Sequence, residues 1–414
     1  MRRNLLGGLT TLAAALSAVL AFAVSPAGAA SAAALASPAP ASASTLLLYL
    51  TGVSCVTATF CAGVGAQGDS AHPAKGNVPL AMVWTGTRWR KTPVPLPKGW
   101  AEGQLDSVSC RSAAYCVATG EIGAGADTPI AETWNGRTWT VARLPRPSAP
   151  SRFSPGTQVS CAAVRHCVAT AANITSSGAG RPFIDTLSGT KWTTRTVPLP
   201  SGTKAAGFGA VDCVSVSYCV LAGAYRAKNV AVLFESWNGK AFRVQKAATP
   251  AGASAPSLTS VSCVSATDCV AVGTNFKSTV SVGAPFATAF AERWNGKTWS
   301  VTSVFGAGGP KNPELGGVSC TSPTRCVTVG GTSADGTEET SHALAASYNG
   351  TTWKVASVPA PASGGTSAFS SVSCLSAKDC VAVGEGGGPQ GTLFSSAAFT
   401  GFWNGTRWKA VPAS

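Results

Sequence analysis

At 414 residues the chain is long enough for two to four domains of about 100 to 200 residues, or for one large repeat architecture around a single closed core. Hydrophobic residues make up 45% and charged residues 12%, with 46 glycines and 26 prolines. That excludes a disordered polyelectrolyte or a coiled coil, points to a compact β protein rich in turns, and with a formal charge of +14 favours anionic partners.

Residues 1–29 read as a secretory signal peptide. Arg2 and Arg3 form a basic start, Leu5 to Val24 is apolar, and Ala27-Gly28-Ala29 is a small-residue cleavage site. The apolar run could instead anchor the chain uncleaved, since it has the length to span a bilayer, but the site that follows it favours cleavage. Arg2-Arg3-Asn4-Leu5-Leu6 also resembles a twin-arginine signal, yet only Met1 precedes it. A cysteine-rich chain is easier to export unfolded and oxidise outside, so the general secretory route is the expectation. Residues 30–44 are an Ala/Ser/Pro tether. Without Arg2 and Arg3 the formal charge is +12.

From residue 45 the chain repeats. All fourteen cysteines fall into seven pairs with five residues between partners: Cys55/Cys61, Cys110/Cys116, Cys161/Cys167, Cys213/Cys219, Cys263/Cys269, Cys320/Cys326 and Cys374/Cys380. The first cysteine recurs after 55, 51, 52, 50, 57 and 54 residues, a sevenfold period slightly above 50. Each unit predicts four strands. A form of Val-Ser-Cys ends the first, a polar turn leads into Cys-Val-Ala-Val-Gly, and a variable loop precedes a third strand ending on an aromatic residue. A hairpin such as Trp134-Asn135-Gly136-Arg137-Thr138-Trp139 closes the unit, Asn-Gly between aromatic β runs being a strong hairpin signal. Eleven of the twelve tryptophans sit at this hairpin, and Leu187, Phe242 and Tyr348 fill the slots where Trp is missing. An aromatic stripe of this kind is expected to pack between neighbouring sheets.

Seven four-stranded antiparallel units that cannot bury their faces alone predict an all-β, seven-bladed β-propeller over residues 45–414. An open solenoid would need atypical terminal caps, whereas the last unit is as regular as the middle ones. Because the first unit is also complete, the ring can close by packing of the last blade on the first or by a shared strand.

The repeats resemble those of secreted bacterial β-propellers, and the Trp-Asn-Gly-x-x-Trp hairpin resembles the Asp-box hairpin of sialidase-like propeller blades. Asn replaces the Asp of that box and the flanking Ser is missing, and the marks of kelch and WD-type blades are absent. The resemblance therefore implies architecture without carrying an enzymatic activity across.

Two cysteines flanking a short turn lie at the base of a hairpin, where the Cα separation is within disulfide reach, so seven local bridges are expected. There is no Cys-x-x-Cys pair, and only His72, His166 and His342 could serve as imidazole ligands, so no metal or cofactor is expected.

The first and third turns of each blade should share one face of the disk. That face would carry a recurrent cation beside the Asn-Gly turn: Arg88, Arg90, Arg137, Lys191, Lys240, Lys297, Lys354, Arg407 and Lys409. One reading of Arg88, Arg137, Lys191, Lys240, Lys297, Lys354 and Arg407 is a basic rim for a wall polyanion. The other is that lysines and arginines on the outer strand blunt an exposed sheet edge. The opposite face displays loops of variable length, such as residues 66–79, 274–286 and 385–396, and the inter-blade connections 93–104 and 144–157. This is a second candidate binding face.

Glu132, Asp185, Glu235 and Glu292 recur two residues before the third-strand aromatic position of blades 2 to 5. Equivalent places around a ring do not make a catalytic pair, so these acids are expected to hydrogen-bond to a neighbouring strand or blade. No nucleophile elbow accompanies the histidines, and of five tyrosines only Tyr49 and Tyr225 lie outside turn or packing positions, without a matching arginine set. The sequence reads as an exported, non-catalytic binding or scaffolding module, monomeric, with a wall polyanion, a glycan or an extracellular protein as partner, and no nucleic acid. The alternatives are a glycoside hydrolase or lyase working on the variable-loop face, or an envelope protein without a discrete ligand.

Overall fold

A computed structural model describes residues 46–69, 76–123, 128–145, 152–175, 179–276, 287–306, 309–333, 341–361, 365–386 and 397–412. The signal and tether, and most of the loops 274–286 and 385–396, lie outside the described residues. Twenty-eight strands form seven four-stranded antiparallel sheets, each built from consecutive strands, and the described residues contain no helix. Blade 1 is Leu46–Thr57, Phe60–Asp69, Val78–Trp84 and Trp89–Thr92, and the other six repeat this plan. The first strands of successive blades touch one another around the whole ring, which places them innermost, and the fourth strands lie outermost.

Near the disulfide turn the registers line up one row across each sheet. In blade 1 Cys55 faces Cys61, Cys61 faces Trp84, and Trp84 faces Trp89. In blade 2 the row is Cys110, Cys116, Trp134 and Trp139. All seven predicted disulfides are present, with Cα atoms 3.9–4.0 Å apart: Cys55–Cys61, Cys110–Cys116, Cys161–Cys167, Cys213–Cys219, Cys263–Cys269, Cys320–Cys326 and Cys374–Cys380. Each joins the first two strands of one blade, and none links two blades.

Because side chains alternate across a strand, this row occupies one face of the sheet and the small residues beside it the other. The row packs on the preceding blade. Cys110, Cys116, Trp134 and Trp139 of blade 2 bury against Ala62, Val64, Ala81 and Val83 of blade 1. The same arrangement gives each of the seven interfaces its own apolar cluster. Trp299 of blade 5 stacks on Phe234 of blade 4 at 3.8 Å and donates its indole N–H to Gln245. The aromatic stripe is therefore inter-blade packing, as its periodicity implies.

The Val-Ser-Cys motif gains its reason here. Ser54 Oγ of blade 1 accepts the backbone N–H of Cys110 in blade 2 at 2.9 Å. Ser109 accepts from Cys161, Ser160 from Cys213, Ser262 from Cys320, Ser319 from Cys374, and Ser373 of blade 7 from Cys55 of blade 1. At the one position where serine is missing, Asp212 accepts from Cys263 at 2.7 Å. A complete ring of seven side-chain straps thus joins the first strands. Ring closure is settled by the same contacts: Leu50, Val53, Met82 and Trp89 pack on Val381, Val383 and Ala398, with no strand shared between the terminal blades. Truncating one strap, Ser109→Ala, is expected to lower unfolding stability by about 1 kcal/mol in denaturant melts, the net worth of one part-buried hydrogen bond. An unchanged midpoint would remove the strap from the account.

The glycine of Cys-Val-Ala-Val-Gly also has a cause. In six blades, all but blade 3, the first strand carries a one-residue bulge, at Leu50/Gly52 in blade 1 and Leu105/Ser107 in blade 2, and its carbonyl presses on the glycine of the second strand. A Cβ at Gly65 or Gly120 would stand 2.0 Å from the oxygen of Tyr49 or Gln104. Bulge side chains also reach the next blade, as when Thr51 Oγ1 donates to Leu105 O at 2.7 Å.

Candidate functional site

The disulfide turn and the third hairpin share one face, as the strand order requires. The indole N–H of Trp84, Trp134, Trp294 and Trp403 each donates to a disulfide-turn carbonyl, of Ala58, Ala113, Ala266 and Ala377 respectively. Outside blade 3, where Ser188 pairs with Lys191, the hairpin is a four-residue loop between paired aromatics. Only its glycine has positive φ, for example 96° at Gly136. The asparagine does not enter the left-handed region but caps the loop through its carboxamide: Asn135 Oδ1 accepts from the N–H groups of Arg137 and Thr138, both at 2.9 Å. Asn238, Asn295, Asn349 and Asn404 repeat this geometry.

This cap fixes where the cations point. The backbone N–H groups of Arg137, Lys240, Lys297 and Arg407 are tied into the cap, leaving their side chains to project into solvent. Arg88, Arg137, Lys191, Lys240, Lys297, Lys354 and Arg407 are all exposed, one per blade. The disulfide turns add Arg111, Arg165, Arg325 and Lys378 to the same face, also exposed. Of the carboxylates nearby, Asp268 is held by Arg293 at 2.9 Å, and Asp379 lies in the turn of blade 7. Every blade therefore presents at least one exposed cation on this face, and blades 1, 2, 3, 6 and 7 present two or more.

Between blades 4 and 5 the face is indented by a cavity of about 430 Å³ that brings Lys297 beside Arg243 and Lys246, with Tyr218, Ser236 and Gln245. A cavity of about 260 Å³ between blades 3 and 4 is its structural counterpart and contains His166, Arg195 and Trp237. There the Arg195 guanidinium lies 5.3 Å from the Trp237 ring centroid, a cation–π contact. Arg243 and Lys246 were not among the rim residues read from the sequence. Their signal was available, since both follow Phe242, which fills the aromatic slot.

The cysteines form no part of a binding site of their own. Cys167, Cys213 and Cys219 border the smaller cavity through their bridges. Cys269, Cys326 and Cys380 line neither cavity, being buried in the interfaces between blades 4 and 5, 5 and 6, and 6 and 7. Oxidised in pairs and packed against a neighbouring sheet, they staple the blades and offer no thiolate to a metal or a substrate.

The opposite face gathers acids near the axis of blades 7, 1 and 2. Asn77 Nδ2 donates to Tyr49 OH at 2.7 Å, and Gln104 Nε2 donates to Asp106 Oδ1 at 3.0 Å and Glu121 Oε1 at 3.1 Å. Asp106 Oδ2 also accepts the N–H and hydroxyl of Thr157 in blade 3. Burial pushes the Tyr49 phenol up, and the charges of Asp106, Glu385 and Glu121 push it further. A tyrosine so placed stays neutral and serves as a hydrogen-bonding group, without the cation a phenolate nucleophile would need. Asp106 occupies the bulge position of its first strand, where Thr51 and Thr259 also bridge to the next blade, so its role is structural.

The recurring acids correct one expectation. Glu132, Glu235 and Glu292 are 0% exposed, and neither carboxylate oxygen of any of them has a hydrogen-bond partner. Only Asp185 behaves as anticipated, accepting from Thr194 Oγ1 at 2.5 Å on the adjacent strand. They share the face of the aromatic row and are sealed in the interfaces 1/2, 2/3, 3/4 and 4/5, where no solute can reach them. Burial raises Glu132, Glu235 and Glu292 from 4.5 to about 8, and Asp185 from 3.8 to about 7. Sequence spacing could place these residues on a face but could not tell whether a donor stood opposite.

His166 lies at the disulfide turn of blade 3, and His342 is exposed on the third strand of blade 6. His72 lies outside the described residues. Among the described residues no three His, Cys, Asp or Glu side chains are placed to hold a metal ion, and no helix is long and apolar enough to cross a membrane.

No known family matches the chain, and no curated protein does. Solved structures similar to it include YCF48 bound to D1 peptide, at 12% identity over 82% of this chain and 91% of that one, with a TM-score of 0.44. Others are the fucose-specific lectin from Aleuria aurantia, at 11% over 78% and 97% with a TM-score of 0.46, and the GH93 α-L-arabinofuranosidase of Fusarium graminearum, at 11% over 68% and 88% with a TM-score of 0.44. These similarities assign neither a ligand nor an activity to this chain.

Proposed function

We propose that the protein is an exported, non-catalytic binding module whose turn face engages an anionic polymer of the cell surface or extracellular space. The observation that carries this reading is that every blade presents an exposed cation within two residues of the second aromatic of its outer hairpin, four of them, Arg137, Lys240, Lys297 and Arg407, tied into an asparagine cap. Edge protection explains a lysine on an outer strand. It gives no reason for further arginines and lysines on the disulfide turns, which are not sheet edges, and these lie on the same face. A rigid array of charge repeated blade by blade favours a repeating polyanion over a compact ligand. Seven disulfides suit an oxidising compartment, where such polymers are met. The four recurring acids cannot serve a reaction from inside the blade interfaces.

The test is co-sedimentation of the mature chain with purified cell-wall polyanion. We expect binding at low salt that is lost at about 0.5 M salt, where screening shortens to a few ångströms. Neutralising Arg137, Lys354 and Arg407 to glutamine should weaken it several-fold at low salt. Binding that survives high salt and the triple substitution would refute the turn-face reading and point to the loop face.

A further inference from the structure

Within that reading, and resting on it, we propose that the cavity between blades 4 and 5 is a discrete subsite for one phosphoryl group of the anionic chain. Here rim charge lines a pocket. Arg243 and Lys246 come from the outer edge of blade 4, and Lys297 from the capped hairpin of blade 5, so three cations from two blades face one cavity of about 430 Å³ lined by no carboxylate. A guanidinium fork with two ammonium groups matches the charge and the several acceptor oxygens of a phosphoryl group.

The reason for the pocket lies in the fourth strand of blade 4. Phe242–Val244 is only three residues long. Gln245 N–H still donates to Phe234 O of the third strand at 2.9 Å, and at the next residue the chain turns to blade 5, where Lys246 O accepts the backbone N–H of Trp299 at 3.0 Å. Gln245, which is 8% exposed, forms the floor. Its Oε1 accepts from Trp299 Nε1 at 2.8 Å, and its Nε2 donates to Tyr218 OH at 3.1 Å. The floor therefore bonds across the blade boundary and holds both walls in place. Tyr218 offers a ring and a hydroxyl beside the cations, suited to the sugar or polyol that carries a phosphoryl group. The counterpart cavity between blades 3 and 4 has one arginine, already stacked on Trp237, and one histidine, so it is not an equivalent site.

The experiment titrates the mature chain with short-chain inorganic polyphosphate by calorimetry at low salt. Three proteins are compared: the wild type, the pocket variant Arg243→Gln/Lys297→Gln, and the rim variant Lys354→Gln/Lys409→Gln, which removes the same charge elsewhere on the same face. All four residues are exposed, and matching thermal melts establish that the fold is kept. The subsite predicts a loss of affinity of tenfold or more in the pocket variant and about twofold or less in the rim variant. Equal losses in both would overturn the subsite while leaving the basic ring intact. Absence of binding by the wild type would overturn the ring and the subsite together.

Discussion

The protein is expected to be most stable in mild acid and to lose stability steadily as the pH rises from about 5 to 8. Glu132, Glu235 and Glu292 lie at 0% exposure without hydrogen-bond partners, and burial lifts each from 4.5 to about 8. Between these values the folded chain holds a proton on each that the unfolded chain has released. Raising the pH therefore favours unfolding, by up to about 1.4 kcal/mol per pH unit for each group. The stabilising neutral form is fully present below 4.5 and is lost through the folded value near 8. Asp185 adds to the slope up to about 7. The triple variant Glu132→Gln/Glu235→Gln/Glu292→Gln keeps shape and polarity but cannot ionise. Denaturant midpoints at about pH 5 and 8.5 should differ strongly for the wild type and only slightly for this variant. A wild-type midpoint that stays level or rises between those values would show that these acids are solvated or paired. Three blades already carry the alternative: the equivalent residues are Met82, Ala346 and Gly401, so Glu132→Met should stabilise at high pH outright.

Complete reduction is expected to unfold the protein. Each disulfide closes a short loop, worth about 2 kcal/mol on the chain-entropy model, and there are seven of them, each directly across a registered strand pair. Their sum is comparable with the whole stability of a domain, about 5 to 15 kcal/mol. Thermal melts with and without a phosphine reductant should show a loss of tens of degrees. An unchanged melting temperature would mean that inter-blade packing alone sustains the ring. The same arithmetic predicts that the chain expressed in a reducing compartment will not accumulate as a folded protein.

Most of the fold was legible in the sequence because it is written in short-range signals. The cysteine period, the aromatic hairpins and the two-residue alternation all act within one blade, and the structure has each of them where the sequence placed it. The candidate face was legible too, since the strand order of an antiparallel sheet decides which turns lie together. The contacts made across blade boundaries were not. Arg243 and Lys246 look like ordinary outer-strand cations until Lys297, some fifty residues later, is brought beside them. Tyr49 likewise reads as an isolated tyrosine until the first strands converge and set Asp106, Glu121 and Glu385 near it.

Residue type and spacing alone specify seven blades, four strands in each and seven local disulfides. They suffice because hydrogen-bonded neighbours in a hairpin are near in the chain. How the ring closes, why serine precedes the first cysteine, that three glutamates are sealed without partners, and that blades 4 and 5 enclose a pocket emerge only when the blades are assembled. Each of these depends on groups that meet across a blade boundary, where no local periodicity says what stands opposite.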